Sequence, residues 1–482
     1  MRVIVVTLDR LPARLLACFG NEWMETPEFD QLAARSTVFE QHFAELPGPT
    51  GPSHPWWTGR LEFFSPRNSA DSDSAQAEGA TISALVQAGV RCRLLTERTE
   101  GLPLDAFSSW EAIEAATGLD IDHSETAIAQ LVQRALDVAG EPADGADESS
   151  GELLWLHSRG VPSPWLPPRF FAELYLNELE EEEAEEEWDE NTGKTLIPEF
   201  RMEVAELETE PEIEFDSSGI LDDLAASPAL VESLLSESVT SDEPESDVSA
   251  AQTELERLIS RYIFAGYVSM IDHWIGRLVK GLEEAAAKVA SDGRFSRETV
   301  LIVTAASGHA DGARHSFIEE SDGASELCDE MLQTPLLIHR IGETGFGTRC
   351  RTMLGPQDLA PTLCEFFGIA PHAATSGLSL KEPLDTGPVS RRNQLFHLSP
   401  SGEVAIRDED WLLVLTDRSL LDGDSLDDND ELLRDARLYA LPDDQWQVND
   451  VSSRRRDVVF QLAGKLQSAL RSAGRLAIPA SQ

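Results

Sequence analysis

The chain has 482 residues, 41% of them hydrophobic, enough to bury a large core and to make about two to three average domains. Its 87 acidic residues outnumber 38 basic ones, and the formal charge of -49 argues against nucleic acid and anionic membrane as partners. Such a bias suits solubility or cationic partners. The five cysteines, Cys18, Cys92, Cys328, Cys350 and Cys364, are scattered without CxxC spacing, so neither a disulfide framework nor a zinc cluster is expected.

The opening "MRVIVVTLDR" is a short β-branched run that reaches Asp9 almost at once. It reads as a strand buried on both faces, not as a signal peptide. No run approaches the ~20 apolar residues of a membrane span, and an intracellular, reducing, cytoplasmic location is expected. "TPEFDQLAARS" has helical spacing, with Phe29, Leu32 and Ala33 on one side. "TISALVQAG" followed by "VRCRLLT" reads as helix, glycine stop and strand. "SETAIAQLVQRALDVAG" predicts a helix capped by Ser124, and "ELLWLH" a strand. A long helical region starts at "ELERLISRYIF", and "TVLIVTA" and "TPLLIHR" are further buried strands. Strands alternating with helices over about 370 residues predict an α/β sheet covered on both faces. Beyond it, "EVAIRDEDWLLVLTD" and "ARLYALPDD" alternate like one-face-exposed strands, and "SSRRRDVVFQLAGKLQSALRSAG" closes as an amphipathic helix. This predicts a smaller antiparallel C-terminal subdomain over residues 371–482, after a main domain over 1–370.

Residues 178–247 differ from the rest. They hold 26 Asp or Glu against 2 Lys or Arg, about half of the chain's net charge. Low hydrophobicity with high charge predicts a solvated, disordered acidic insertion, with a protein partner or a cation as the functional alternative. The EF-hand pattern is absent from it.

Chemistry in α/β sheets collects at the carboxyl ends of strands. Asp9 follows "VIVVTL" directly and suits a hard-metal ligand or a helix cap. In "ELPGPTGPSHPWWTGR", Thr50 offers a hydroxyl that is a weak nucleophile unless a metal or base takes its proton, and His54 a donor to a phosphate or sulfate oxygen. The plainer reading of this stretch is a proline-rich turn.

The order of these pieces resembles the sulfatase family of the alkaline phosphatase superfamily over nearly the whole chain. "VIVVTLDRLPARLLACFGNEWMETPEFDQLAARSTVFEQHFA" looks like its opening strand, turn and helix. "TGPSHPWWTGR" looks like its nucleophile loop, in the subgroup reading T-x-P-S-H instead of the usual C-x-P-S-R. Thr50, Pro52, Ser53, His54, Thr58, Gly59 and Arg60 match with one residue missing, whereas alignment on the T-G-R puts Pro49 at the nucleophile position. "ELLWLHSRGVPSPWLPPRFF" resembles a later segment, but Gly160 stands where the family has Asp and Pro162 where it has His. In "LIVTAASGHADG", Ala306 and Ser307 replace the family's Asp and His ligands, or, with a two-residue insertion, Gly308 replaces the Asp and His309 keeps the His. The segments "TPLLIHR", "LGPQDLAPTLCEFFGI" and "LYALPDDQWQVNDV" match closely.

The resemblance implies a mixed sheet sandwiched by helices with a smaller antiparallel C-terminal subdomain. It implies Thr50 and His54 as catalytic residues, Arg10 and His157 as substrate-binding, and Asp9 and His309 as metal ligands. Asp311 and His315 are further ligand candidates, and Arg10 stands in place of a second Asp. The implied cofactor is a divalent metal, Ca or Mg/Mn, expected to bind weakly or not at all because carboxylate ligands are replaced. The implied ligand is a sulfate or phosphate ester or another small anion. Two functions stay open: a sulfatase-like scaffold with impaired or lost catalysis, and an active sulfate or phosphate ester hydrolase or transferase using Thr50.

Overall fold

The computed structural model describes residues 1–51, 54–64, 79–141, 151–162, 164–185, 217–227, 231, 234, 247–291, 298–309, 325–343, 345–372, 375–381, 384, 392–422, 426 and 430–474. Pro52, Ser53, Asp311 and His315 lie outside them, as does most of the acidic span.

Eight strands build the main sheet: β1 (Arg2–Arg10), β2 (Thr37–Phe39), β3 (Arg91–Thr96), β4 (Ser109–Ala112), β5 (Glu152–Gly160), β6 (Thr299–Ser307), β7 (Leu336–Arg340) and β8 (Thr348–Cys350). Their order is β4-β3-β5-β1-β6-β7-β2-β8. β1 lies between β5 and β6 and is parallel to both, while β7 runs antiparallel to β6, so the sheet is mixed. All five runs read as strands of the main domain belong to it, and those of β1, β5, β6 and β7 are buried almost throughout, because helices cover both faces.

The two-residue period of β1 divides the core and orients the site. Ile4, Val6 and Leu8 face one layer, with Phe29, Leu131, Leu176, Ile271 and Leu278 from the helices Pro27–Ala33, Ala127–Gly140, Arg169–Glu185 and Asp247–Ser291. Val3 and Val5 face the other, with Ile82, Leu85, Leu359 and Leu363 from the helices Ala80–Gln87 and Leu359–Phe366. By the same alternation Thr7 and Asp9 lie on the Val3 face and Arg10 on the opposite one.

The second sheet is antiparallel, in the order β12-β11-β10-β9, with β9 (Leu395–Leu398), β10 (Val404–Arg407), β11 (Trp411–Leu415) and β12 (Arg437–Ala440). The helix Arg456–Ser472 closes it through Val459, Leu462 and Leu466. Leu61 and Phe63 enter the same core, so residues early in the chain complete this layer. Arg407 crosses from β10 to ion-pair with Asp329 and lies 4.0 Å over the Phe43 ring.

Two local expectations are corrected. Ser124 is inside a 3₁₀ turn capped by Asp122, and the helix Ala127–Gly140 starts from Thr126 without a side-chain cap. Within the acidic span, Ser217–Ala226 is a helix whose Leu221 and Leu224 are buried in the main core, so these residues are not solvated loop. Two leucines spaced by three among acidic neighbours suffice to seat one helical turn.

Candidate functional site

The site forms where β1, β3 and β5 end. Asp9 is 4% exposed. Its Oδ1 accepts the Thr50 backbone N–H at 2.8 Å. Arg98, two residues beyond β3, grips both carboxylate oxygens, Nε to Oδ2 at 2.8 Å and Nη2 to Oδ1 at 2.9 Å. The same Nη2 donates to the Thr50 carbonyl at 2.6 Å, and Nη1 to the Glu100 carbonyl. Burial alone would raise the Asp9 carboxyl. The hydrogen bonds and charges of His157 and Arg98 outweigh it and hold the group well below the usual carboxylate range.

His157 comes from β5, in register with Thr7 of β1, and is 0% exposed. Its Nδ1 is 2.9 Å from Thr7 Oγ1, which also accepts from Trp155 Nε1 at 2.8 Å. Its Nε2 faces Asp9 Oδ1 at 3.4 Å. An ionised carboxylate only accepts, so the ring nitrogen facing Asp9 carries a proton, and the Thr7 hydroxyl, which also reaches the Leu156 carbonyl at 3.2 Å, holds the other side of the ring.

His54 caps the short helix Pro55–Thr58, its Nδ1 accepting the Trp56 N–H at 3.3 Å, and its ring lies 4.2 Å from that of Trp56. Accepting at Nδ1 leaves the proton on Nε2. Burial, partly offset by the charge of Asp9, pulls this histidine down to about 3, so it is a neutral donor near pH 7. Trp57 and Trp155, 4.3 Å apart, wall the loop from below.

Thr50 is 3% exposed. Its N–H and C=O are both taken, by Asp9 and Arg98, while its Oγ1 is buried and has no hydrogen-bond partner among the described residues.

The structure thus brings together Asp9, Thr50, His54 and His157. Arg10 projects from the opposite face of β1, because adjacent strand residues alternate. His309 lies two residues past β6, its ring stacked 4.8 Å from Phe264 and edge-on to Trp165 at 4.9 Å. Arg98 was missed by reading the sequence. Its one signal is position, just after a buried strand's carboxyl end in "LLTERTE". Its turn is fixed by Thr96, whose Oγ1 donates to the Arg98 carbonyl at 2.7 Å. The adjacent Glu97 takes the Arg159 N–H on Oε2 at 3.1 Å, and burial raises its carboxyl against the Ser158 hydroxyl and Arg159 N–H that favour the charged form.

These residues do not fit a divalent metal. Hard cations need several oxygen ligands, and here both oxygens of Asp9 are committed to a guanidinium. On the Asp9 face β6 offers the buried methyl of Ala306, while Ser307 turns away and donates to the Asp9 carbonyl at 3.1 Å. No carboxylate can stand at Gly308, where a Cβ would lie 1.8 Å from the Glu330 carbonyl oxygen. Gly160 is equally closed, with φ at +66° and a Cβ position 2.1 Å from the Arg10 carbonyl oxygen. Among the described residues no three His, Cys, Asp or Glu side chains are grouped to hold a metal ion, and no helix is long and apolar enough to cross a membrane.

The two sheets and their covering helices have the fold of solved sulfatases and phosphonate monoester hydrolases. Among solved structures of that fold is the phosphonate monoester hydrolase of Agrobacterium radiobacter, 17% identical, with a TM-score of 0.63 over 98% of this chain and 96% of that one. A protein solved with its substrate D-glucosamine-2-N,6-O-disulfate is 15% identical, with a TM-score of 0.60 over 97% of both chains. A 2-O GAG sulfatase is 14% identical, with a TM-score of 0.60 over 98% of this chain and 92% of that one. Neither family profiles nor curated protein sequences match the chain.

Proposed function

We propose that this chain is a sulfatase-like scaffold that has lost metal-dependent ester hydrolysis and acts by binding, with a small sulfate or phosphate ester or a related oxyanion as its ligand class. The observation that carries the reading is the closure of Asp9 by Arg98, which engages both oxygens of the carboxylate at the end of the central strand. The ligand class is supported by the neutral His54 donor and the unpartnered Thr50 hydroxyl at the same strand end, together with the sulfated substrate of a protein of the same fold. Fold by itself does not fix chemistry.

One observation favours a second reading, a metal-independent ester hydrolase or transferase. The peptide of Thr50 is held on both sides while its hydroxyl is left without a partner, as a nucleophile awaiting a substrate would be. The test is turnover of p-nitrophenyl sulfate, p-nitrophenyl phosphate and a phenylphosphonate ester, with and without Ca, Mg or Mn, in the native chain and in Thr50→Ala. The expected result is no turnover above that of Thr50→Ala. Turnover abolished by that substitution would replace the first reading with the second.

A further inference from the structure

We propose that Arg98 is a positioning residue that serves as the resident cation of this site, its guanidinium standing in for a divalent metal. In that role it balances Asp9 and pins the Thr50 segment. The inference does not depend on the loss of hydrolysis, and it would stand if the chain proved to be a metal-free hydrolase.

The first support is charge. Asp9 is buried, and a buried carboxylate needs a counter-charge. Arg98 supplies it with its own side chain 12% exposed against 6% for Asp9. The second is geometry. A planar guanidinium presents several donors in fixed directions, where a metal ion would gather oxygens around a point. Arg98 gathers four: both oxygens of Asp9 and the carbonyls of Thr50 and Glu100. Three chain segments, the end of β1, the loop at Thr50 and the turn after β3, therefore meet on one cation. The third is the surrounding donor set. Ala306 and the sterically closed Gly308 and Gly160 leave Asp9 without a second carboxylate from β5 or β6, while one tethered positive charge matches one negative charge.

Three measurements on the full chain test this. The native protein is analysed for bound metal, and its melting is followed with EDTA and with millimolar Ca, Mg, Mn or Zn. A site filled to about 100 times its Kd would raise the midpoint by about 3 °C. The expected outcome is less than one equivalent of metal and a midpoint that moves by less than about 1 °C. Stoichiometric metal, with a midpoint that falls on chelation, would overturn the proposal. In Arg98→Ala the vacated space should accept free guanidinium. About 10–20 mM guanidinium chloride, far below denaturing concentrations, should raise its midpoint and slow hydrogen exchange at the Thr50 amide, relative to equal NaCl. Arg98→Lys should respond to neither salt specifically, because its own ammonium fills the space without bridging both oxygens. Absence of specific rescue in a folded Arg98→Ala would also overturn the proposal. If that variant does not fold, the metal analysis and chelation of the native chain decide. Hydrolytic activity is read separately, so activity that needs no metal would sink the binding reading and leave this inference untouched.

Discussion

Replacing Thr50 by valine should stabilise the protein. The side chain is 3% exposed and its Oγ1 has no partner, so folding strips water from a hydroxyl and returns nothing. Leaving a buried polar group unsatisfied costs about 1–3 kcal/mol. Valine keeps the shape and puts a methyl where the hydroxyl was, and the two main-chain bonds of residue 50, to Asp9 at 2.8 Å and from Arg98 at 2.6 Å, do not involve the side chain. A gain of about 1–2 kcal/mol follows. Serine keeps the hydroxyl and loses a buried methyl, at a cost of about 1 kcal/mol. Alanine loses both, and the two effects nearly cancel. The predicted order is valine above the native chain and alanine, with serine lowest. Urea unfolding, with midpoint and slope fitted for all four, measures it. A valine variant less stable than the native chain by about 1 kcal/mol would show that the hydroxyl is satisfied in solution, and the reasoning would fail.

Acidification should destabilise the chain below pH ~6.5. Burial pulls His42 and His397 down to about 4 and His54 to about 3, so the unfolded chain takes up protons that the folded chain refuses. Stability is full above the unfolded value and is lost as pH falls toward the folded ones, on the order of 2 kcal/mol per histidine by pH 5. Asp272 works the other way. Burial raises it to about 7, outweighing the Phe29 and Glu28 amides that it caps, so its contribution is complete at low pH and is lost as pH rises through about 7. Asp272→Asn should therefore steepen the loss between pH 7 and pH 5 by roughly 2–3 kcal/mol in urea titrations, and an unchanged profile would refute the assignment. Asp358→Ala should cost about 3–5 kcal/mol, because it strands half-buried Arg392, which now donates to the carboxylate at 2.7 and 2.8 Å, and the Gly355 and Leu378 N–H groups that the carboxylate accepts. Gly308→Ala should cost at least about 1–3 kcal/mol by thermal unfolding, since the added carbon meets the Glu330 backbone rather than a movable side chain. A neutral result would mean that the β6 loop can open.

The sequence by itself determined the scaffold. Runs such as "VIVVTL" and "TVLIVTA" are largely apolar without alternation, as in a strand covered on both faces, so β1 and β6 were legible. The helix Arg456–Ser472 was equally legible from its periodicity, whereas β10 to β12, expected as strands exposed on one face, are buried on both, Val404 and Ile406 in the core with the closing helix and Ala405 in a second core with Phe43 and Leu332. Asp9, Thr50 and His54 could be named from residue type and loop context, and His157 only through the resemblance to the sulfatase family. Short strands such as Thr37–Phe39 and Ser109–Ala112 were not legible, since three or four residues carry too little pattern to separate a strand from a turn. Only the tertiary structure decided what Asp9 does. Arg98 is 89 residues away and two strands across, beyond β5, and no local pattern ties a guanidinium to a carboxylate at that separation. The same holds for Arg10, next to Asp9 in sequence and on the far side of the sheet in space. A strand's alternation sends neighbours apart, and the sheet order brings distant residues together.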